Sequence, residues 1–239
     1  LSESISDDSR APPLFRCITE PLALPKIATA PYRRPVLTEE RGGGRPVLVL
    51  PGMASGDKST ALLRNSLAAA GYKPWAGGLG RNLTISPVKF RNLELRLLEM
   101  VGVERQHAII LGWSLGGFYA RVLAQRHPAK VAMVATLGTP FSGHRKANHA
   151  WRIYEMLANH KVDAPPLPDD PAIKPAMHTI AFWSPVDGIV SPSSARGTDE
   201  ERDEAIALPF RHFELGCSRR AVKQVVEALN ERVALIEDA

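Results

Sequence analysis

The segment 108–126 constrains this chain more than any other. The apolar run Ala108-Ile109-Ile110-Leu111 leads into Gly112-Trp113-Ser114-Leu115-Gly116-Gly117 and then into a stretch of helical character that Pro128 ends. A short apolar run bounded by glycine reads as a buried strand, and residues 115–126 read as a helix. Between the two the chain reverses within a few residues. Positions two before and two after Ser114 are then so crowded that a β-carbon on either would clash. Gly112 and Gly116 meet that demand. Gly-x-Ser-x-Gly arises often by chance, but seldom between an apolar strand and a helix, so the expected result is a sharp turn that presents the Ser114 hydroxyl.

The same alternation runs through the rest of the chain. Val47-Leu48-Val49-Leu50 reads as a buried strand ending at Pro51-Gly52, residues 59–70 as a helix stopped by Gly71, and residues 72–76 as a further strand. Residues 86–101 carry Phe90, Leu93, Leu97, Leu98 and Val101 at near-helical spacing. Residues 131–137 and 179–183 read as strands, and residues 218–235 as a closing helix with Val222, Val225, Val226, Leu229 and Val233 on one face. Strands alternating with helices predict an α/β fold with a mostly parallel central sheet and helices on both faces. The 239 residues, 44% hydrophobic and 23% charged, suffice for one such domain, expected over residues 46–239. Residues 1–45 hold Pro12, Pro13, Pro21, Pro25, Pro31 and Pro35 without a sustained period and are expected to form an extended Pro-rich arm over it. From about 141 to 176 the alternation gives way to a short helical stretch (148–159) and to Pro165, Pro166, Pro168 and Pro171. This insertion is read as a small cap over the carboxyl ends of the strands.

Composition narrows the function classes. The net charge of +5 comes as short pairs, Arg33-Arg34, Arg145-Lys146 and Arg219-Arg220, which reads as a solvated surface and not as a nucleic-acid site. The two cysteines, Cys17 and Cys217, fit neither a disulfide scaffold nor a metal-ligand spacing, and no metal is expected. No apolar stretch approaches the roughly 20 residues of a membrane span. The first residues, with Glu3, Asp7 and Asp8, lack the order of a signal peptide, so a cytoplasmic location is expected. The glycines around Gly80 lack the third glycine of a dinucleotide fingerprint, and no cofactor is expected.

A serine hydroxyl is a poor nucleophile near neutral pH and needs a base within reach and donors for the oxyanion it creates. With Ser114 on a strand-turn-helix, the chain resembles the α/β-hydrolase superfamily over residues 47–233. Leu50-Pro51-Gly52 after the first strand, Gly78-Leu79-Gly80-Arg81-Asn82 and the Ser114 run together resemble small bacterial lipase-like or esterase-like hydrolases. In that superfamily the acid follows the nucleophile and the histidine comes last. Asp187, in Pro185-Val186-Asp187-Gly188 after an apolar strand, resembles the acid turn of many members; the competing reading is an aspartate that bonds only its own turn. Of seven histidines only His212 follows Asp187, so the resemblance makes His212 the base or leaves none. It also implies an oxyanion hole from the backbone N–H groups of Leu115 and of Met53, where this chain has Pro51-Gly52-Met53 in place of a His-Gly start. Trp113, next to the nucleophile, is the tryptophan expected to touch substrate. Trp75, Trp151 and Trp183 are read as core or pocket walls.

The resemblance thus implies a serine hydrolase cleaving a small-molecule or lipid ester through an acyl-enzyme. An acyltransferase sharing that intermediate and a non-catalytic binding protein on the same fold stand as rivals. A dehalogenase is disfavoured, because a carboxylate would then stand where this chain has Ser114.

Overall fold

Successive residues of a strand point to opposite faces, and this alternation sorts the core into two layers on either side of one sheet. The computed structural model describes residues 11–144, 148–149, 151–157 and 166–236. Its strands are β1 (Pro46–Leu50), β2 (Lys73–Ala76), β3 (Ala108–Trp113), β4 (Val131–Leu137), β5 (His178–Trp183) and β6 (Glu204–Ala207). They form a single sheet in the order β2-β1-β3-β4-β5-β6, every pair parallel. Val47, Val49, Ile109, Leu111 and Trp113 point to one face with Met133, Ala135, Ile180 and Phe182. Leu48, Leu50, Ala108, Ile110 and Val134 point to the other. Because both faces are covered, β1 and β3 are buried at every position, as the unbroken apolar runs required.

The helices follow from the same patterns. In chain order, α1 (Leu14–Thr19) and α2 (Leu24–Thr29) precede the sheet, and α3 (Ala61–Ala69) packs Leu62, Leu63 and Leu67 on the first face. α4 (Pro87–Glu104) buries Phe90, Leu93, Leu97 and Met100 on the second, beside α5 (Leu115–Arg126). Leu98, expected in the α4 stripe, is exposed: its neighbour Leu97 holds the inward position, and one residue along a helix turns about 100° away. α8 (Arg219–Arg232) follows α6 (Trp151–Leu157) and α7 (Pro192–Arg196), and all five stripe residues expected on the closing helix lie in the first core layer. β6, an edge strand with one partner, is half exposed and carries little pattern in the sequence. Among the described residues no helix is long and apolar enough to cross a membrane.

The arm differs from the expected extended segment. Residues 14–32 form α1, α2 and two 3-10 turns, with Pro21, Pro25 and Pro31 each at the start of a helical turn, where a missing N–H costs nothing. Proline therefore punctuates short helices here without keeping the chain extended. Ala30 and Val36 are buried and join the first core layer, so this stretch is part of the domain's packing.

The segment expected to form a cap, about 141–176, is described in part. Residues 145–147, 150 and 158–165, with the Arg145-Lys146 pair, Pro165 and the end of the expected 148–159 helix, lie outside the described residues. Of the described part, residues 148–149 lie against the loop after β5: Asn148 bridges Val190, and His149 N–H donates to Ile189 O at 2.8 Å. Arg121, on α5 and 1% exposed, anchors the far end of the segment. Its guanidinium donates to the carbonyls of Pro171, Ala172, Ile173 and Glu201 and lies 4.0 Å over the Phe141 ring. Burial lowers its pKa to about 10, partly offset by Glu201 and Asp170, so it stays charged at neutral pH.

β1 has its sequence successor β2 on one side and β3 on the other. In a parallel sheet such a reversal opens a crevice at the carboxyl ends of the strands, where ligands bind. The loops after β1 and β3, with Met53 and Ser114, meet there.

Candidate active site

Ser114 joins β3 to α5 with φ 52° and ψ −120°, a backbone that a serine adopts only when its surroundings impose it. Its N–H donates to Leu137 O at 2.8 Å, and its carbonyl accepts from Gly117 N–H and Thr139 Oγ1, each at 2.9 Å. A β-carbon on Gly112 would lie 2.5 Å from Gly116 O, and one on Gly116 2.5 Å from Leu50 O. Both glycines are thus required by backbone contacts, as the turn implied. Gly117 is required for another reason: its β-carbon would lie 1.9 Å from Thr139 Oγ1.

Three distant segments converge on the serine. Ser114 Oγ lies 3.0 Å from His212 Nε2, and His212 Nδ1 lies 2.8 Å from Asp187 Oδ2. Asp187 Oδ1 accepts the N–H groups of Ile189 and Val190, each at 2.8 Å, so the carboxylate bonds both its own turn and the imidazole. With Nδ1–H donated to Asp187, Nε2 keeps a lone pair for the serine proton. Asp187 is fully buried and His212 is 3% exposed. Burial alone would lower the histidine's pKa; the charge and hydrogen bond of Asp187, with the charge of Glu20, outweigh it and raise the pKa above the ordinary value.

Met53 and Leu115 both line a cavity at Ser114. Leu115 opens α5, where an N–H has no partner inside its own helix, which is the position an anion can use. The loop carrying Met53 is held by Asn82, whose Nδ2 donates to Pro51 O at 2.9 Å and whose backbone exchanges bonds with Ala54 and Ser55. The cavity, of about 90 Å³, is walled mainly by apolar groups, among them Phe118, Val122, Trp151, Tyr154, Leu167 and Val190. Neither thiol competes with the serine: burial pushes Cys217 up to about 12, and burial with Glu20 raises Cys17. Among the described residues no group of three or more His, Cys, Asp or Glu side chains is arranged to hold a metal ion.

Comparison with known proteins places this architecture. A family model for the alpha/beta hydrolase fold matches residues 91–160. An alpha/beta superfamily hydrolase from Oenococcus oeni superposes with a TM-score of 0.61 at 15% identity, covering 82% of this chain and 97% of the other. The chain has the α/β-hydrolase fold. A soluble variant of monoglyceride lipase from Saccharomyces cerevisiae gives a TM-score of 0.58 at 13% identity, over 84% of this chain and 88% of that one. Naproxen esterase from Bacillus subtilis gives 0.51 at 13% identity, over 77% and 83%. Comparison with curated protein sequences finds no match.

Within this α/β-hydrolase fold one expected contact is absent. Trp113 does not line the cavity at Ser114. Its indole is buried on the first face of the sheet against Gly216 and donates to His212 O at 3.3 Å. The reason is alternation, since Trp113 shares the parity of Ile109 and Leu111 and follows them into the core. Trp151, grouped in the sequence with core or wall residues, is the tryptophan that lines the cavity. Thr139 carries no sequence signal, because it acts on a turn 25 residues away. Asn82 stood in a recognised motif, yet its role depends on a loop 31 residues earlier.

Proposed function

We propose that this α/β-hydrolase-fold protein is a serine hydrolase that cleaves a carboxylic ester through an acyl-enzyme on Ser114. The carrying observation is the chain of short contacts from Ser114 Oγ through His212 to buried Asp187, opening on an apolar cavity. His212 Nε2 takes the serine proton as Oγ attacks the ester carbonyl, and the Met53 and Leu115 N–H groups receive the oxyanion. The tetrahedral intermediate collapses, His212 returns the proton to the departing alkoxide, and the alcohol leaves. Water, deprotonated by the same imidazole, then attacks the acyl-serine, and the acid product and free serine are restored. Asp187 holds the imidazole in the required tautomer and stabilises its cationic form.

The apolar walls favour an ester with an apolar acyl or alkyl portion, because such a group loses little by leaving water for that surface. Neighbours named as an esterase and a lipase accord with that class. Treatment with a fluorophosphonate, digestion and mass mapping is the test. The adduct is expected on Ser114 and absent from Ser114→Ala, whose ester turnover should fall by about 10⁴- to 10⁶-fold. A folded protein that takes no label at Ser114, or a variant that keeps its turnover, would overturn the assignment.

A further inference from the structure

Glu20 lies far from the cavity in sequence and carries no mark of function, yet it is 1% exposed, although a carboxylate is rarely so buried without partners. Its partners are backbone groups of the two loops that carry the acid and the base. Oε1 accepts from Gly188 N–H at 2.8 Å and His212 N–H at 2.9 Å, and Oε2 accepts from Phe213 N–H at 3.0 Å. The arm around it fits the same loops: Arg16 Nη1 donates to Pro185 O at 2.7 Å. A β-carbon on Gly188 would stand 2.6 Å from Arg16 C and O. Lys26 pairs with Glu214, two residues beyond the histidine.

We propose that Glu20 is a positioning residue for His212: the N-terminal arm supplies a buried carboxylate that ties the Asp187 loop to the His212 loop and places a second negative charge beside the imidazole. This rests on the reading of Ser114, His212 and Asp187 as the reactive set. Two carboxylates then serve one histidine by different routes. Asp187 bonds the ring itself, whereas Glu20 bonds the backbone on which the ring and its acid are mounted. Among the described residues, the other charged groups near the imidazole are already engaged. Glu214 on the same turn is held by Lys26 and Arg211, and Arg16 is engaged at Pro185. From β4 the contact is Gly138, which brings no titratable group. Glu20 is therefore the anion whose removal alters the field at His212 while Asp187 stays in place.

Glu20→Gln keeps the volume, removes the charge, and turns an amide NH₂ toward at least one backbone N–H, so a clamp bond is lost. Glu20→Asp keeps the charge with a shorter reach. His212 is followed in each folded protein by NMR titration of its imidazole, and the fluorophosphonate labelling rate of Ser114 is measured across pH. In Glu20→Gln the histidine is expected to titrate at lower pH than in wild type, the acidic limb of labelling to move down with it, and the plateau to drop. The drop should be about 10- to 100-fold, the range seen when partners orienting a functional imidazole are lost. Glu20→Asp should restore the titration while leaving the plateau reduced. Loss of packing alone would lower the plateau without moving the limb. A folded Glu20→Gln with wild-type titration and rate overturns the proposal. If that variant does not fold, a wild-type plateau in Glu20→Asp overturns it instead. Wild type that takes no label at Ser114 defeats the hydrolase reading, and the titration then still decides whether Glu20 sets the state of His212.

Discussion

Under the proposed mechanism, His212 is the residue that couples protonation to both stability and reactivity. Its pKa is raised in the folded protein, after the charge and hydrogen bond of Asp187 and the charge of Glu20 overcome the opposite pull of burial. A base must be neutral to accept the serine proton, so the acidic limb of kcat/KM is expected above the ordinary histidine value of about 6.5. A limb at or below that value in a pH profile of ester hydrolysis would contradict the electrostatics of the pocket. Stability runs the other way. A pKa raised on folding stabilises the fold fully below the unfolded value, and that contribution fades as pH rises through the folded value. Denaturant unfolding of wild type and His212→Gln should therefore show a gap that is larger at pH 5 than at pH 9. Asn82 makes a different demand, because its side chain holds the Pro51 carbonyl and with it the turn into Met53. Asn82→Ala should lower kcat more than it raises KM, since the proposed oxyanion donor would be used chiefly in the transition state. Steady-state kinetics on one ester separates the two.

At the scale of elements, β3, its turn and α5 form the unit on which the site is assembled. The strained Ser114 backbone is held by β4 through Leu137 O and by Thr139 just beyond it, and the glycines allow α5 to begin against the backbone after β1. α5 also reaches the turns before β5 and β6 through Arg121, whose guanidinium serves the carbonyls of Pro171, Ala172, Ile173 and Glu201. Arg121→Met should destabilise the fold by about 3 kcal/mol, because buried carbonyls lose a charged donor that a thioether cannot replace. In a thermal melt that is a fall of about 6–12 °C at this chain length. A shift of less than a degree would mean that water takes over the guanidinium's role.

The whole molecule is less modular than its sequence suggests. The arm touches the Asp187 loop at Pro185 and Gly188, the His212 loop at His212 and Phe213, and the segment after β4 at His149, whose Nε2 donates to Pro12 O at 2.6 Å. Ala30 and Val36 are in the core, and Val36 N–H donates to Ser66 on α3. A chain beginning at residue 46 should therefore not behave as a free-standing domain. Such a truncation is expected to bind a hydrophobic dye and to lose its cooperative melt, both readable in one thermal scan.

Local pattern was enough for what depends on near neighbours. The apolar runs, the period of the helices and the glycines around Ser114 act over a few residues, so the turn and the elements outside the arm were largely legible from the chain alone, and the resemblance, applied to chain order after Ser114, pointed to Asp187 and His212. The facing of Trp113 was open to the same logic, since parity along β3 sends it to the core, but adjacency to the serine suggested the cavity. Glu20, Thr139 and Arg121 were not legible, because their partners lie 25 to 193 residues away and nothing in their local sequence separates them from solvated polar residues, and for Asn82 the motif was visible but its hold on a loop 31 residues earlier was not. Burial and hydrogen bonding across such distances exist only once the sheet is assembled. The sequence alone determined most of the elements that form and where a nucleophile can stand; tertiary structure decided the packing of the arm and which polar groups are buried around the serine, because desolvation is a property of the packed whole.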